Sequence, residues 1–139
     1  MQELLRITPI DDEKSKEGAK AVYRGLTFYI ARNSNQKFIK KFQALTKPYK
    51  RDIEKGTADE DTMQDIICEA MAYGILVGWE DFEIGGETVQ YSRANATNLL
   101  KNDPDFRDFV SEFSKIMDNY IREEEDEVVG KSKKSTDGS

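Results

Sequence analysis

The side chains able to do chemistry are few and widely spaced. The 139 residues hold one cysteine, Cys68, and no histidine. That removes the Ser-His-Asp triad, the Cys-His dyad, the HExxH zinc site and the C2H2 finger, each of which needs an imidazole as base or ligand. The lone thiol has no internal disulfide partner. With no imidazole to draw off its proton, it reads as an inert, partly buried group at the edge of an apolar stripe. Neither GxGxxG nor a GxxxxGKS/T sequence occurs, so no glycine-rich loop is available to cradle phosphates.

Carboxylates are the remaining reactive groups. Asp11-Asp12-Glu13, Asp59-Glu60-Asp61 and the run Glu123 to Glu127 are the clusters from which a general acid and base, or a set of ligands for a catalytic metal, would have to be built. Their settings favour other uses: a weakly patterned arm, the start of a helix where negative charge is favourable, and a solvated run near a tail. Asp81, Glu83, Gly85 and Gly86 look at first like a calcium loop. Counted from Asp81, however, the fifth position is Gly85 and the twelfth, which should hold the ion bidentately, is Ser92. No catalytic, cofactor-binding or metal-binding residue is assigned, and the chain is expected not to be an enzyme.

Binding chemistry is better represented. Six basic residues and no acid lie between Lys37 and Arg51, interleaved with Phe38, Phe42 and Tyr49. That composition suits a nucleic-acid or anionic-partner patch, and equally the wet face of a helix. The formal net charge of −6 opposes long-range attraction to a phosphate backbone. The patch is better suited to acidic segments of a protein partner or of another copy. Trp79 suits a core plug or an interface anchor, as tryptophan is enriched at binding hot spots. Phe38, Phe42, Trp79, Phe106, Phe109, Phe113, Met117 and Tyr120 together exceed what one small core is expected to absorb. They are the candidate partner-binding residues, and self-association is expected with them.

The elements that must position these residues follow from spacing and caps. Ala19 to Arg32 alternates Ala21, Tyr23, Leu26, Phe28 and Ile30 around Arg24-Gly25, which favours a short β-hairpin, with a helix over Tyr23 to Ile30 as the rival. Ser34 or Asn35 caps a helix carrying Phe38, Ile39, Phe42 and Leu45, and Pro48 opens a second short segment that stops at Gly56. Thr57-Ala58-Asp59-Glu60 has the form of a capping box. After it, Met63, Ile66, Ile67, Ala70, Met71 and Ile75 lay one stripe along a central helix. Gly74 and Gly78 loosen its end, and Glu83 to Val89 reads as a turn or minimal hairpin. Ser92 caps a helix to Lys101. Asp103-Pro104 then starts the clearest amphipathic helix, whose stripe runs from Phe106 to Ile121.

The length suits one domain. Hydrophobic residues make up 37% and charged residues 35%, which implies a folded middle with soft ends. The expected organisation is a flexible arm over 1–17, a single domain over 18–122, and an acidic, then Lys/Ser-rich, disordered tail over 123–139. The expected fold class is mainly α: a small helical domain with a short N-terminal β-hairpin and disordered tails. No apolar run approaches the roughly 20 residues that span a bilayer, and the start lacks the regions of a signal peptide. A soluble protein of a reducing cytoplasm is expected.

From Leu76 to Tyr120 the order of features resembles the C-terminal half of the tail assembly chaperones of long-tailed phages. The residues that carry the likeness are Gly78-Trp79, Gly85-Gly86, Tyr91-Ser92, Asn95-Ala96, Leu99-Leu100 and Pro104. Upstream, Phe28 to Asn33 and Asn35 to Phe38 are similar to that family's F-x-I-A-R and N-x-x-F segments, so the likeness spans about Gly18 to Glu125. The resemblance implies a protein that binds the tape measure protein in the host cytoplasm before tail-tube polymerisation and is absent from the mature virion. It also implies a longer frameshifted product, through which the tail tube protein becomes a partner. Val129-Gly130-Lys131 permits the spelling GTG-GGA-AAR, and Ser132-Lys133-Lys134 permits TCA-AAA-AAR, each a slippery stretch. A small acidic adaptor, a virion-associated subunit and, further off, a nucleic-acid binder or a carboxylate enzyme are the other readings.

Overall fold

The computed structural model describes residues 7–122. Within them, side-chain caps set where most helices begin. Asp11 accepts from the amides of Glu13 (2.9 Å) and Lys14 (3.2 Å) and starts α1 (Asp12–Glu17). The stretch expected to be extended or partly ordered is thus helical from Asp12, although none of α1 is buried. It is tied to the other end of the described chain. The Asp11 amide donates to the Tyr120 carbonyl at 2.7 Å, the Arg122 amide to Pro9 at 3.0 Å, and Lys14 Nζ to the Ile121 carbonyl at 3.0 Å.

Between Ala19 and Ile30 the hairpin prevails over the helix. β1 (Ala19–Tyr23) and β2 (Leu26–Ile30) pair antiparallel. Arg24 and Gly25 both take positive φ, 49° and 81°, as a two-residue turn must to match the strands' twist. Asn35 then starts α2 (Gln36–Thr46), accepting from the Phe38 amide at 3.1 Å, while its own amide group donates to the carbonyls of Arg32 (2.6 Å) and Gly74 (2.9 Å). One side chain thereby caps a helix and ties it to a later one. A 3-10 turn over Lys47–Tyr49, with Pro48 at its start, leads into α3 (Lys50–Lys55). Gly56 closes α3 at φ 73°.

The central helix, α4 (Glu60–Gly74), departs from expectation at both ends. Its cap is Asp59, whose carboxylate accepts from the Thr62 amide at 3.0 Å, and not Thr57. Thr57 instead finishes the previous turn, its amide donating to the Asp52 carbonyl at 2.8 Å. A carboxylate brings a full charge to the helix N-terminus where a hydroxyl brings none, so the aspartate wins the position. At the other end, Gly74 does not loosen the helix. A Cβ there would stand 2.6 Å from the Phe38 nitrogen, so its absence lets two helix backbones touch.

From Ile75 the chain enters β3 (Leu76–Glu80) directly. This strand pairs antiparallel with β2, placing Phe28 opposite Trp79 and Ile30 opposite Leu76, with a bulge between Tyr29 and Ile30. β4 (Glu83–Ile84) and β5 (Glu87–Thr88) form a second, two-stranded sheet. The fold is therefore mixed α/β and not mainly α with a single hairpin: two antiparallel sheets stand beside the helices. Gly78 contributes no side chain to the alternation in Leu76–Glu80, and what makes the segment a strand is a partner some 50 residues away, a distance at which local pattern carries little signal.

Ser92 caps α5 (Arg93–Asn102), accepting from the Asn95 amide at 3.0 Å, and Asp103 caps α6 (Pro104–Lys115), accepting from Phe106 at 3.1 Å. The stripe expected to continue helically to Ile121 breaks at Ile116, which is extended at φ −84° and ψ 111°. A 3-10 turn over Met117–Tyr120 follows, and the Asn119 side chain donates to the Phe113 carbonyl at 3.0 Å. The break turns Tyr120 back beneath the sheet, fully buried, with its hydroxyl donating to Ile30 at 3.1 Å.

One core joins these pieces. Phe28 and Ile30 from the sheet meet Met71 and Leu76, Leu100 from α5, and Phe106 and Val110 from α6. Among the described residues no helix is long and apolar enough to cross a membrane. The acidic run Glu123 to Glu127, the Lys/Ser-rich tail and the codons for slippage at 128–134 lie outside the described residues.

Burial pushes the Tyr120 hydroxyl above its ordinary pKa, with Arg32 pulling weakly the other way. Burial also raises Tyr91, against the opposing charge of Arg93. A group whose folded pKa is raised adds stability that is complete below its unfolded value and is lost as pH rises past it. The denaturant midpoint should therefore fall as pH climbs through about 10. Tyr120→Phe should flatten that fall in a pH series of urea melts; an identical slope in the variant would contradict this.

Candidate functional site

The eight candidate contact residues separate by burial. Phe106 and Tyr120 are buried and serve the core. Phe38, Trp79, Phe109 and Phe113 are half-buried and pack against it. Trp79 lies with its ring 5.2 Å from Phe82 and 4.9 Å from Tyr91, and its indole nitrogen donates to the Val89 carbonyl at 2.8 Å. It holds the base of the β4–β5 hairpin. Phe42 stacks on Phe38 outside the core cluster, and Met117 is exposed.

Three surfaces emerge. The first is at the end of α6, where the ring of Tyr23 meets Phe109 at 4.8 Å and Phe109 meets Phe113 at 6.0 Å. Ile116 and Met117 follow, 49% and 41% exposed. The break after Lys115 puts these two side chains into solvent, where a continued helix would have kept the stripe on one face.

The second is an apolar groove of about 560 Å³ between α2, α3 and the first turns of α4, lined by Phe42, Thr46, Ile53 and Met63 and edged by Lys47 and Lys50. Ile53 is the residue that sequence reasoning missed here. Its signal was being the one apolar side chain on an otherwise charged α3.

On the third surface Lys41 and Arg93 stand over the Tyr73 ring, 4.8 and 4.0 Å from its centroid, beside an open cleft of about 380 Å³ that also includes Glu69. The basic stretch from Lys37 to Arg51 is consequently divided. Lys41 belongs to this cleft, Lys47 and Lys50 to the groove, and Lys37 to a smaller hollow with Lys16 and Glu17.

The acidic residues show ordinary structural duties: Asp11, Asp59 and Asp103 are helix caps. The calcium-like stretch Asp81 to Gly86 is entered from a strand and folds as a hairpin, whereas an EF-hand loop joins two helices. Among the described residues no group of three or more acids and cysteine is gathered to hold a metal. Cys68, expected to be partly buried, is wholly enclosed.

These features define a small mixed α/β domain that presents apolar and charged patches to solvent. Residues 33–131 match the family model described as YdaY prophage protein. The chain belongs to that family and is phage-derived. The search of curated proteins and the search of solved structures returned no match.

Proposed function

We propose that this protein is a tail assembly chaperone: it binds the tape measure protein in the host cytoplasm before the tail tube polymerises around it, and it leaves before the virion is complete. The observation that carries this reading is the ordered set of features from Gly78-Trp79 to Pro104, found in a chain whose family is of prophage origin. It acts by binding and not by catalysis. A longer frameshifted form would bring the tail tube protein to the same complex.

The surface best suited to the tape measure protein is the end of α6. A long helical partner with apolar stripes is covered by apolar side chains standing on a rigid element, and Ile116 and Met117 stand in solvent beside the half-buried rings of Phe109 and Phe113. In a pull-down on the tape measure protein of the same prophage, the wild type should be retained and Met117→Asp should lose at least about tenfold in affinity, as a charge buried in an apolar contact costs well over 1.4 kcal/mol. Met117 is exposed, so the variant should still fold. Retention of both forms alike would move the contact elsewhere, and no retention of the wild type would remove the reading.

A further inference from the structure

We infer that the acidic run Glu123 to Glu127 folds back on its own chain, along the lysines of α1 and α2, and covers the cleft where Lys41 and Arg93 stand over Tyr73. The structure supplies a fixed point of departure and a basic route, and the sequence places five acids directly after that point.

The point of departure lies against α1. An antiparallel bridge joins Ile10 to Ile121, the Arg122 amide donates to the Pro9 carbonyl at 3.0 Å, and Lys14 Nζ donates to the Ile121 carbonyl at 3.0 Å. These bonds hold the chain up to the residue before the first acid. It therefore leaves the described domain beside Lys14, and Glu123, Glu124, Glu125, Asp126 and Glu127 are its next five residues.

The route is a row of cations on neighbouring elements. Lys14 and Lys16 lie in the last turn of α1. Lys16 shares a hollow with Lys37 at the start of α2. Lys41 follows Lys37 by four residues, one turn along the same face of the helix, and meets Arg93 of α5 over the Tyr73 ring. The acids lining the hollow and the cleft are Glu17 and Glu69. Neither neutralises the row, since among the described residues Lys16, Lys37, Lys41 and Arg93 are engaged in no ion pair. The ring of Tyr73 attracts two of these charges but cancels neither.

Length and charge both suit this occupant. Extended, five residues reach about 16 Å, against about 6 Å from Lys37 to Lys41 along α2. A single exposed ion pair is worth little, but five acids tied to the domain meet the row at an effective concentration of about millimolar order. A separate acidic segment carries the full entropic cost of association, so the chain's own run prevails over it. The contact is weakened by salt, and an outside acidic segment reaches Lys41 and Arg93 only by displacing the run. None of this rests on the tape measure protein, whose proposed surface at the end of α6 is a different one.

Paramagnetic broadening in the full chain tests it. Val128→Cys puts a nitroxide label next to the last acid, while Cys68, wholly enclosed, stays unlabelled. In dilute, low-salt solution the amide signals of Lys37, Lys41 and Ala94 should lose most of their intensity, and high salt should restore it. Lys37→Glu, Lys41→Glu and Arg93→Glu together should abolish the loss. So should exchanging the five acids for their amides, a change that touches none of the described residues and so leaves the fold alone. That amide variant, without a label, should also bind a hexaglutamate peptide several-fold more tightly than the wild type, read from the Lys41 and Ala94 shifts. Broadening that is absent, that survives either set of charge changes, or that arises only between labelled and unlabelled copies in a mixture would each overturn the inference, as would equal affinity of the two forms for the peptide.

Discussion

Phe28→Ala should destabilise the domain by about 3–5 kcal/mol and lower its melting temperature by roughly 10–20 °C. Phe28 is 1% exposed, and its ring lies 4.6 Å from Phe106, 5.7 Å from Phe82 and 6.1 Å from Trp79. It is therefore the point where the sheet, the β4–β5 hairpin and α6 meet. Truncation removes the transfer energy of the ring and leaves a cavity whose walls belong to three elements and cannot collapse together. A domain of this size has only about 5–15 kcal/mol in total, so a large part of the margin is lost. Phe109→Ala, at a half-buried ring, is the control and should cost clearly less by differential scanning calorimetry. Equal losses at the two positions would show that the core is not centred on Phe28.

Gly74→Ala should cost about 1–3 kcal/mol even though alanine is the better helix former. The added Cβ would stand 2.6 Å from the nitrogen and 2.7 Å from the Cα of Phe38. Both are backbone atoms of a capped helix and cannot swing aside as a flexible side chain would. Relief requires α2 to move off α4, and that breaks the bond from the Asn35 side chain to the Gly74 carbonyl, 2.9 Å long. Hydrogen exchange should locate the loss in α2 and the segment through α3, while α5 and α6 keep their protection. A variant as stable as the wild type, or more so, would contradict the close packing of the two helices.

The helices were legible because their signals are local. Asn35, Ser92 and Asp103 each cap the helix that follows, and Gly56 ends α3. What escaped depends on residues far apart in sequence. Leu76–Glu80 is a strand because β2 lies beside it, and the break at Ile116 is settled by Tyr120 reaching back to Ile30. At the start of α4 the two candidate caps, Thr57 and Asp59, stand two residues apart, and the charged one prevails.

The candidate contact surface was less legible than the fold. Aromatic residues mark cores and interfaces alike, and periodicity cannot say which neighbour covers a face. Phe106 and Tyr120 went to the core, whereas Ile53 and Ile84, lone aliphatic residues in polar surroundings, are among the exposed ones. Hydrophobic side chains standing singly in charged or turn sequence were the better guide to surface here.

The proposed chaperone role is tested most directly by the solubility of the tape measure protein from the same prophage, expressed alone and together with this chain. The expected result is an insoluble tape measure protein when alone and, on co-expression, a soluble complex in which both proteins elute together from a sizing column. A tape measure protein that stays insoluble in the presence of this chain, or that is equally soluble without it and elutes apart from it, would contradict the account.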